Sequence, residues 1–305
     1  MGRSFCRRIL SIAVLLIIIL AAVPAYPGGG PRNVLIVVNE NEEESLEIGT
    51  YYLRARDIPI ENFCRIQTSS NLTVDKATYQ NEIETPVETC INNSLYSGRI
   101  DYIVLTRGLP IRASFPGGNV SLTALLQVFD VPTLRGRDQE YNPATFTRWP
   151  NPYVNADEYF SHSKAFNGMN LFIGTMLSGY WSEDGIRLVD RSLASDLNPP
   201  TSGGGVFYLE DARPGAADFP LAVSNLQGAG FNAEHIVDPA DVPAGSTVAS
   251  HVNAGSYSGI SKSEIESHTY PAGCIVDALE SFGLVPANFT PGANPSQTPV
   301  TWWVT

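Results

Sequence analysis

Residues 33–52 read NVLIVVNENEEESLEIGTYY, and this junction decides the fold class. Asn33 to Val38 is an apolar run of the kind a central parallel strand shows when both its faces are covered. A polar loop follows at once. Ser45 is placed to cap the next helix, and Leu46, Ile48, Tyr51, Tyr52 and Leu53 give that helix a broad core-facing stripe. A strand entering a loop and then an amphipathic helix is the unit of α/β proteins, and its loop is where they bind ligands.

The same alternation continues along the chain. The helix stops at RARDIP, where Pro59 disfavours helical geometry in the residue before it. NFCRIQT reads as a second strand. Residues 73–95 read as helix with one break at TPVE, where Thr85 caps, Pro86 opens a new helix and Glu88 completes a capping box. IDYIVLTRGLP (100–110) is a third strand. Further on, NLFIG (170–174), GGGVFYLED (203–211) and STVASHVNAGSYSG (246–259) read as strands, and SEDGIRLVDRSLAS (182–195) as a helix. FPLAVSNLQGAGFNAEHIVD (219–238) reads as helix, turn and strand. The expected architecture is three-layer α/β, with a mostly parallel sheet, helices on both faces and right-handed crossovers. Residues 130–169 are polar and rich in proline and aromatics, with no sustained period, and read as an ordered, lid-like insertion. No internal repeat is visible.

Residues 1–25 read as an address. Arg3, Arg7 and Arg8 precede an uncharged run from Ile9 to Val23, and Val23 and Ala25 are the small residues of a cleavage site. That run is short for a membrane span of about 20 residues, so a secretory signal peptide is expected, with an uncleaved anchor as the alternative. Residues 26–305 then form a single exported α/β domain, placed in the periplasm, the extracellular space or the cell surface. Without the leader's three arginines, sixteen Lys and Arg face thirty-one Asp and Glu, a formal charge of about −15 against −12 for the whole chain. So acidic a surface repels nucleic acid and anionic lipid. Cys64, Cys90 and Cys274 allow at most one internal disulfide, and Cys64 and Cys90 read as small buried apolar residues of a fold that does not depend on one.

The strand ends supply the candidate site. The first delivers Asn39, Glu40 and Asn41, the third Thr106, Arg107 and Gly108, and the last His251, Asn253 and Ser256. The loop after the first strand has four glutamates and no glycine. A phosphate cradle needs glycines and a helix N-terminus without nearby negative charge, so no nucleotide cofactor is expected. Two readings remain for the loop. Some of Asn39, Glu40 and Asn41, with Glu40 and Asn41 foremost, coordinate a divalent cation such as calcium, or the glutamates favour the helix dipole and pair with Arg107. A second constellation sets His251 as base beside Cys274 as nucleophile, the dyad of a caspase-like cysteine hydrolase. Against it, Ile275, Val276 and Leu279 read as the start of a buried helix. His162, His235 and His268 show no metal-ligand spacing.

The motifs NVLIVVNENEEES, YYLRARDIP, IDYIVLTRGLPIR, NPY, LVDRSL and GCIVDALESFG, in that order, resemble an uncharacterised, numbered family of exported proteins. The resemblance implies a secreted α/β protein and no defined activity. The family pattern carries Arg and Asp in the segment where this chain has Met176 and Ser178, and an acidic residue at Thr123. It also continues into a Gly-rich stretch beyond the segment that ends here at Thr305, which reads as a truncated C-terminus. The leading expectation is an exported ligand- or cation-binding accessory domain for a small ligand or peptide, with its site at Asn39, Asn41, Arg107 and Ser256. The hydrolase and a structural cell-surface component are the alternatives.

Overall fold

The computed structural model describes residues 29–116, 118–128, 160, 171–197, 204–210, 219–238, 241–253 and 260–278. The 130–169 insertion (but for Phe160), the leader, the loop carrying Ser256 and the segment after Ala278 lie outside the described residues.

The α/β class is as the sequence predicts, but the parallel strands divide between two sheets. β1 (Val34–Asn39), β2 (Phe63–Ile66), β4 (Tyr102–Thr106) and β7 (Ile173–Leu177) form an all-parallel sheet in the order β2-β1-β4-β7. β8 (Val206–Glu210), β9 (Asn232–Ile236), β10 (Val248–Asn253) and β11 (Ile275–Ala278) form a second, also all parallel, in the order β11-β10-β8-β9. A small third sheet joins β3 (Thr73–Asp75) to β5 (Arg112–Phe115) in parallel and β5 to β6 (Gly118–Ser121) antiparallel.

The first two sheets share one topology. In each, the second strand in sequence pairs on one side of the first, the third pairs on its other side, and the fourth follows the third. The repeat is in strand order, and the sequences of the halves do not display it.

In the first sheet, Leu35 and Val37 face a core shared with Cys64, Ile66, Ile83, Val87 and Leu126, while Ile36 and Val38 face Ile58, Leu46 and Leu53. One face is therefore covered by α2 (Thr85–Asn93) and α3 (Leu122–Gln127), the other by α1 (Glu43–Ala55). Residues 35–38 have side chains buried on both faces, which is why the run is continuous and not alternating. α1 lies unusually close to the sheet. A Cβ on Gly49 would stand 2.3 Å from Val38 Cγ1. α4 (Ser182–Leu197) packs on α1, where Gly185 meets Ile48 and Arg56 pairs with Asp196. α4 also reaches the second half, since Arg191 Nη2 donates to the carbonyl of Tyr270 at 2.5 Å. In the second sheet Leu209 and Ala233 face α5 (Phe219–Gly228), and Tyr208, Ile236 and Val248 face Val242 and Tyr270.

Several local expectations are corrected. α1 begins at Glu43, and Ser45 is a buried residue of its first turn, not its cap. The break at Thr85 is absent. A π-helix (Tyr79–Glu84) runs directly into α2, with Glu84 helical and without a side-chain cap. Pro86 lacks an N–H and crowds the carbonyl one turn back, and the wider turn accommodates both defects. Residues 275–278 are strand, not the start of a buried helix; Ile275 and Val276 are β-branched, and Ile275 is largely exposed. The strand predicted at 170–174 begins and ends three residues later.

Cys64 and Cys90 are not separate apolar residues but a disulfide, tying β2 to α2 with a sequence separation of 26. A cross-link of that span is worth about 3 kcal/mol. The double replacement Cys64→Ser, Cys90→Ser is expected to lower stability by about that amount in urea titration, and reductant should then have no further effect on the variant. Gly49→Ala is expected to cost about 1–3 kcal/mol through overpacking, whereas Gly98→Ala, with open space around it, should be neutral or slightly stabilising.

Candidate functional site

The strand order of the first sheet reverses between β1 and β4: β1 leads outward to β2, and the chain then returns to β4 on its other side. In open α/β sheets the crevice at the carboxyl ends of two such strands is the binding position. Asn39 ends β1 and Thr106 ends β4, so both stand at it.

Asn39 is fully buried, and every polar atom of its amide is used. Its Oδ1 accepts from the Thr68 and Asn41 backbone N–H groups, both at 3.2 Å. Its Nδ2 donates to the carbonyls of Thr68 (3.1 Å) and Gly108 (2.9 Å). Toward Thr68 the amide thus behaves as one more peptide unit paired with the chain beyond β2. The Asn39 backbone N–H donates to Ser45 Oγ at 2.8 Å, and Ser45 Oγ lies 2.6 Å from Thr106 Oγ1. Ser45, Thr106 and Thr68 are also buried. Three loops, after β1, β2 and β4, are therefore locked together by one polar knot. Gly108 closes it: its φ is +90°, and a Cβ there would stand 2.9 Å from Glu42 Cβ. Asn39 is a latch with nothing left to offer a ligand, which its placement at a strand end did not reveal.

Among the described residues, the groups accessible around the knot are Asn41 and a set of charged side chains. Arg107 Nε lies 2.5 Å from Glu44 Oε2, with Arg107 about one quarter and Glu44 nearly half exposed. Arg107 Nη1 donates to the Gly179 carbonyl at 2.8 Å, so the pair also grips the loop after β7. Asn41 is exposed and donates from Nδ2 to the Thr68 carbonyl. Glu40 faces Arg65 at 3.6 Å and accepts from Gln67. Of the two readings of the acidic loop, the geometry carries the pairing of a glutamate with Arg107. Among the described residues no three of His, Cys, Asp and Glu gather as a metal-holding group. Thr123 and Met176, on α3 and β7, lie on the core side of the first sheet: a Cβ on Gly174 would stand 2.7 Å from the Thr123 carbonyl, and Met176 packs on that core.

His251 and Cys274 do not form the arrangement a hydrolase needs. His251 is buried inside β10, its Nε2 3.0 Å from Oε2 of the fully buried Glu210. Register pairs His251 with Val276, so Cys274 precedes β11 at the amino end of the strand, opposite to the edge where a caspase-like dyad stands. Burial pushes the Cys274 thiol above its ordinary range, opposed by Arg191 nearby. The partner of His251 is the carboxylate of Glu210, a residue that ends its strand as Asn39 does and that sequence reasoning missed. Reading the second half as its own α/β unit with its own switch point, between β8 and β10, would have found it.

No protein family, curated protein or solved structure matches the chain. Among the described residues no helix is long and apolar enough to cross a membrane.

Three outcomes follow from this geometry. Ser45→Ala strips the Asn39 N–H and the Thr106 hydroxyl of a partner and is expected to cost about 1–3 kcal/mol in urea titration. Cys274 should alkylate at least about tenfold more slowly at pH 7 in the folded than in the unfolded chain, with no change in His251→Ala. His268 is held below its ordinary value of 6.5, first by burial and then by His251, against Glu264. Folding therefore favours its neutral form, and its contribution is complete above pH 6.5 and lost as pH falls below that value. His268→Gln should flatten the fall in denaturation midpoint between pH 7 and pH 5.

Proposed function

We propose that the chain is an exported binding or accessory domain that takes a small organic ligand at the carboxyl edge of its first sheet, against Arg107, Glu44 and Asn41. The carrying observation is the buried knot around Asn39. Burying amide and hydroxyl groups costs free energy unless every partner is supplied, and here they are supplied at the switch point, where the knot fixes three loops around an accessible ion pair. A preorganised polar edge of that kind favours binding, because little ordering remains to oppose it. Export is supported by the leader pattern and by the Cys64–Cys90 disulfide, a bond that persists in oxidising compartments.

An organic ligand suits the edge better than a bare cation. Arg65 faces Glu40 and Arg107 faces Glu44, so a divalent ion would have to displace guanidinium groups already in place. The test is a thermal-melt screen of the purified protein against neutral sugars, dipeptides, dicarboxylates and millimolar calcium. A site filled to a hundred times its dissociation constant adds about 2.7 kcal/mol, which is at least about 5 °C for a domain of this size. The expected result is such a shift with one organic class, lost in Arg107→Gln. A shift with calcium that disappears in Glu40→Gln would establish a cation site instead.

A further inference from the structure

The loop after β7 presents an aromatic side chain at the same edge. Trp181 is 55 % exposed, the only tryptophan among the described residues. Its side chain is exposed while its backbone is anchored. Asp184, 2 % exposed, accepts from the backbone N–H groups of both Tyr180 (2.9 Å) and Trp181 (3.0 Å) through Oδ2. Gly179 lets the turn sit on that carboxylate, since a Cβ there would stand 2.4 Å from Asp184 Cβ. The Gly179 carbonyl is in turn gripped by Arg107. The segment bearing the indole is thereby fixed to the ion pair through one carbonyl and to α4 through one buried carboxylate.

We infer that this edge binds a neutral carbohydrate, with Trp181 stacking on a sugar ring and Arg107 and Glu44 taking its hydroxyls. The inference rests on the proposed binding role and names its ligand class. A pyranose has a C–H face that packs on an aromatic plane and hydroxyls that both donate and accept. An exposed indole two residues from the Gly179 carbonyl that Arg107 holds, on the same loop as one arm of a donor–acceptor pair, offers both properties. The alternatives fit less well. An anionic ligand meets a chain of formal charge −12. A protein partner needs roughly 800 Å² of surface on each side, but the neighbours of Trp181 in sequence are glycine, tyrosine, serine and glutamate. Among the described residues, the exposed aliphatic side chains Ile60, Leu95, Leu221, Val237 and Ile275 lie outside the segments that follow β1, β4 and β7, and Tyr51, on α1, is bonded to Asp190.

The experiment is saturation-transfer NMR and isothermal titration of the purified protein with four neutral oligosaccharides: cellotetraose, maltotetraose, mannotetraose and tri-N-acetylchitotriose. At least one is expected to bind, with affinity falling tenfold or more in Trp181→Ala and partly restored in Trp181→Phe. Arg107→Gln should weaken it as well. Circular dichroism melts of the variants check that the fold persists. Binding of none of the four, or binding unchanged in Trp181→Ala, overturns the inference. Binding that survives Trp181→Ala but not Arg107→Gln overturns the platform and leaves the binding role standing. Binding unaffected by either variant removes both.

Discussion

One amide organises the first half of this protein. β1 is covered on both faces, and it ends at Asn39 with no solvent to satisfy what the strand leaves open. A buried backbone or amide group without a partner costs about 1–3 kcal/mol, so the loops around the end of β1 have to arrive in position to supply them. They do so through Thr68, Ser45, Thr106 and Gly108. The consequence is geometric. The crevice where an α/β sheet of this order ordinarily admits a phosphate is filled by protein, and the accessible chemistry moves outward to Arg107, Glu44 and the turn at Gly179.

The second half repeats the strand order with a different solution at its own switch point. Glu210 ends β8 in the position that Asn39 occupies on β1, and its partner is His251 of β10. A neutral knot at one edge and an acid–imidazole pair at the other do not have equal costs. Removing one member of the buried acid–imidazole pair leaves the other polar group buried without that bond, whereas the amide knot spreads its bonds over several partners. The two halves meet through α4, which packs on α1 through Gly185 and bonds to the Tyr270 carbonyl through Arg191.

Much of the fold was legible in the sequence because burial writes itself into composition. The run 34–38 could only be a strand covered on both sides, and Leu46 and Leu53, seven residues apart, fell on one helical face. What was not legible depended on contacts between distant residues. Ser45 has the right chemistry for a cap and the right position for one, yet Thr106 and the Asn39 N–H compete for its hydroxyl and win. Cys64 and Cys90 each look like a small apolar residue until β2 and α2 are set side by side. Pro86 signals a helix start unless the preceding turn widens. At the site, Arg107 and Glu44 were identifiable from the strand-end rule, whereas Trp181 needed the position of β7, and Glu210 needed the split into two sheets.

The most direct measurement is native-state amide hydrogen exchange at Asn39, Asn41 and Thr68. The Asn39 N–H is held by the Ser45 hydroxyl, and those of Asn41 and Thr68 by the Asn39 side-chain carbonyl. If the knot is the organising constraint, these three should be protected to the level of the β1 strand itself and should lose protection together in Asn39→Ala. Exchange of Thr68 and Asn41 at loop rates in the unaltered protein would contradict the account, because the carboxyl edge would then be mobile and not preorganised.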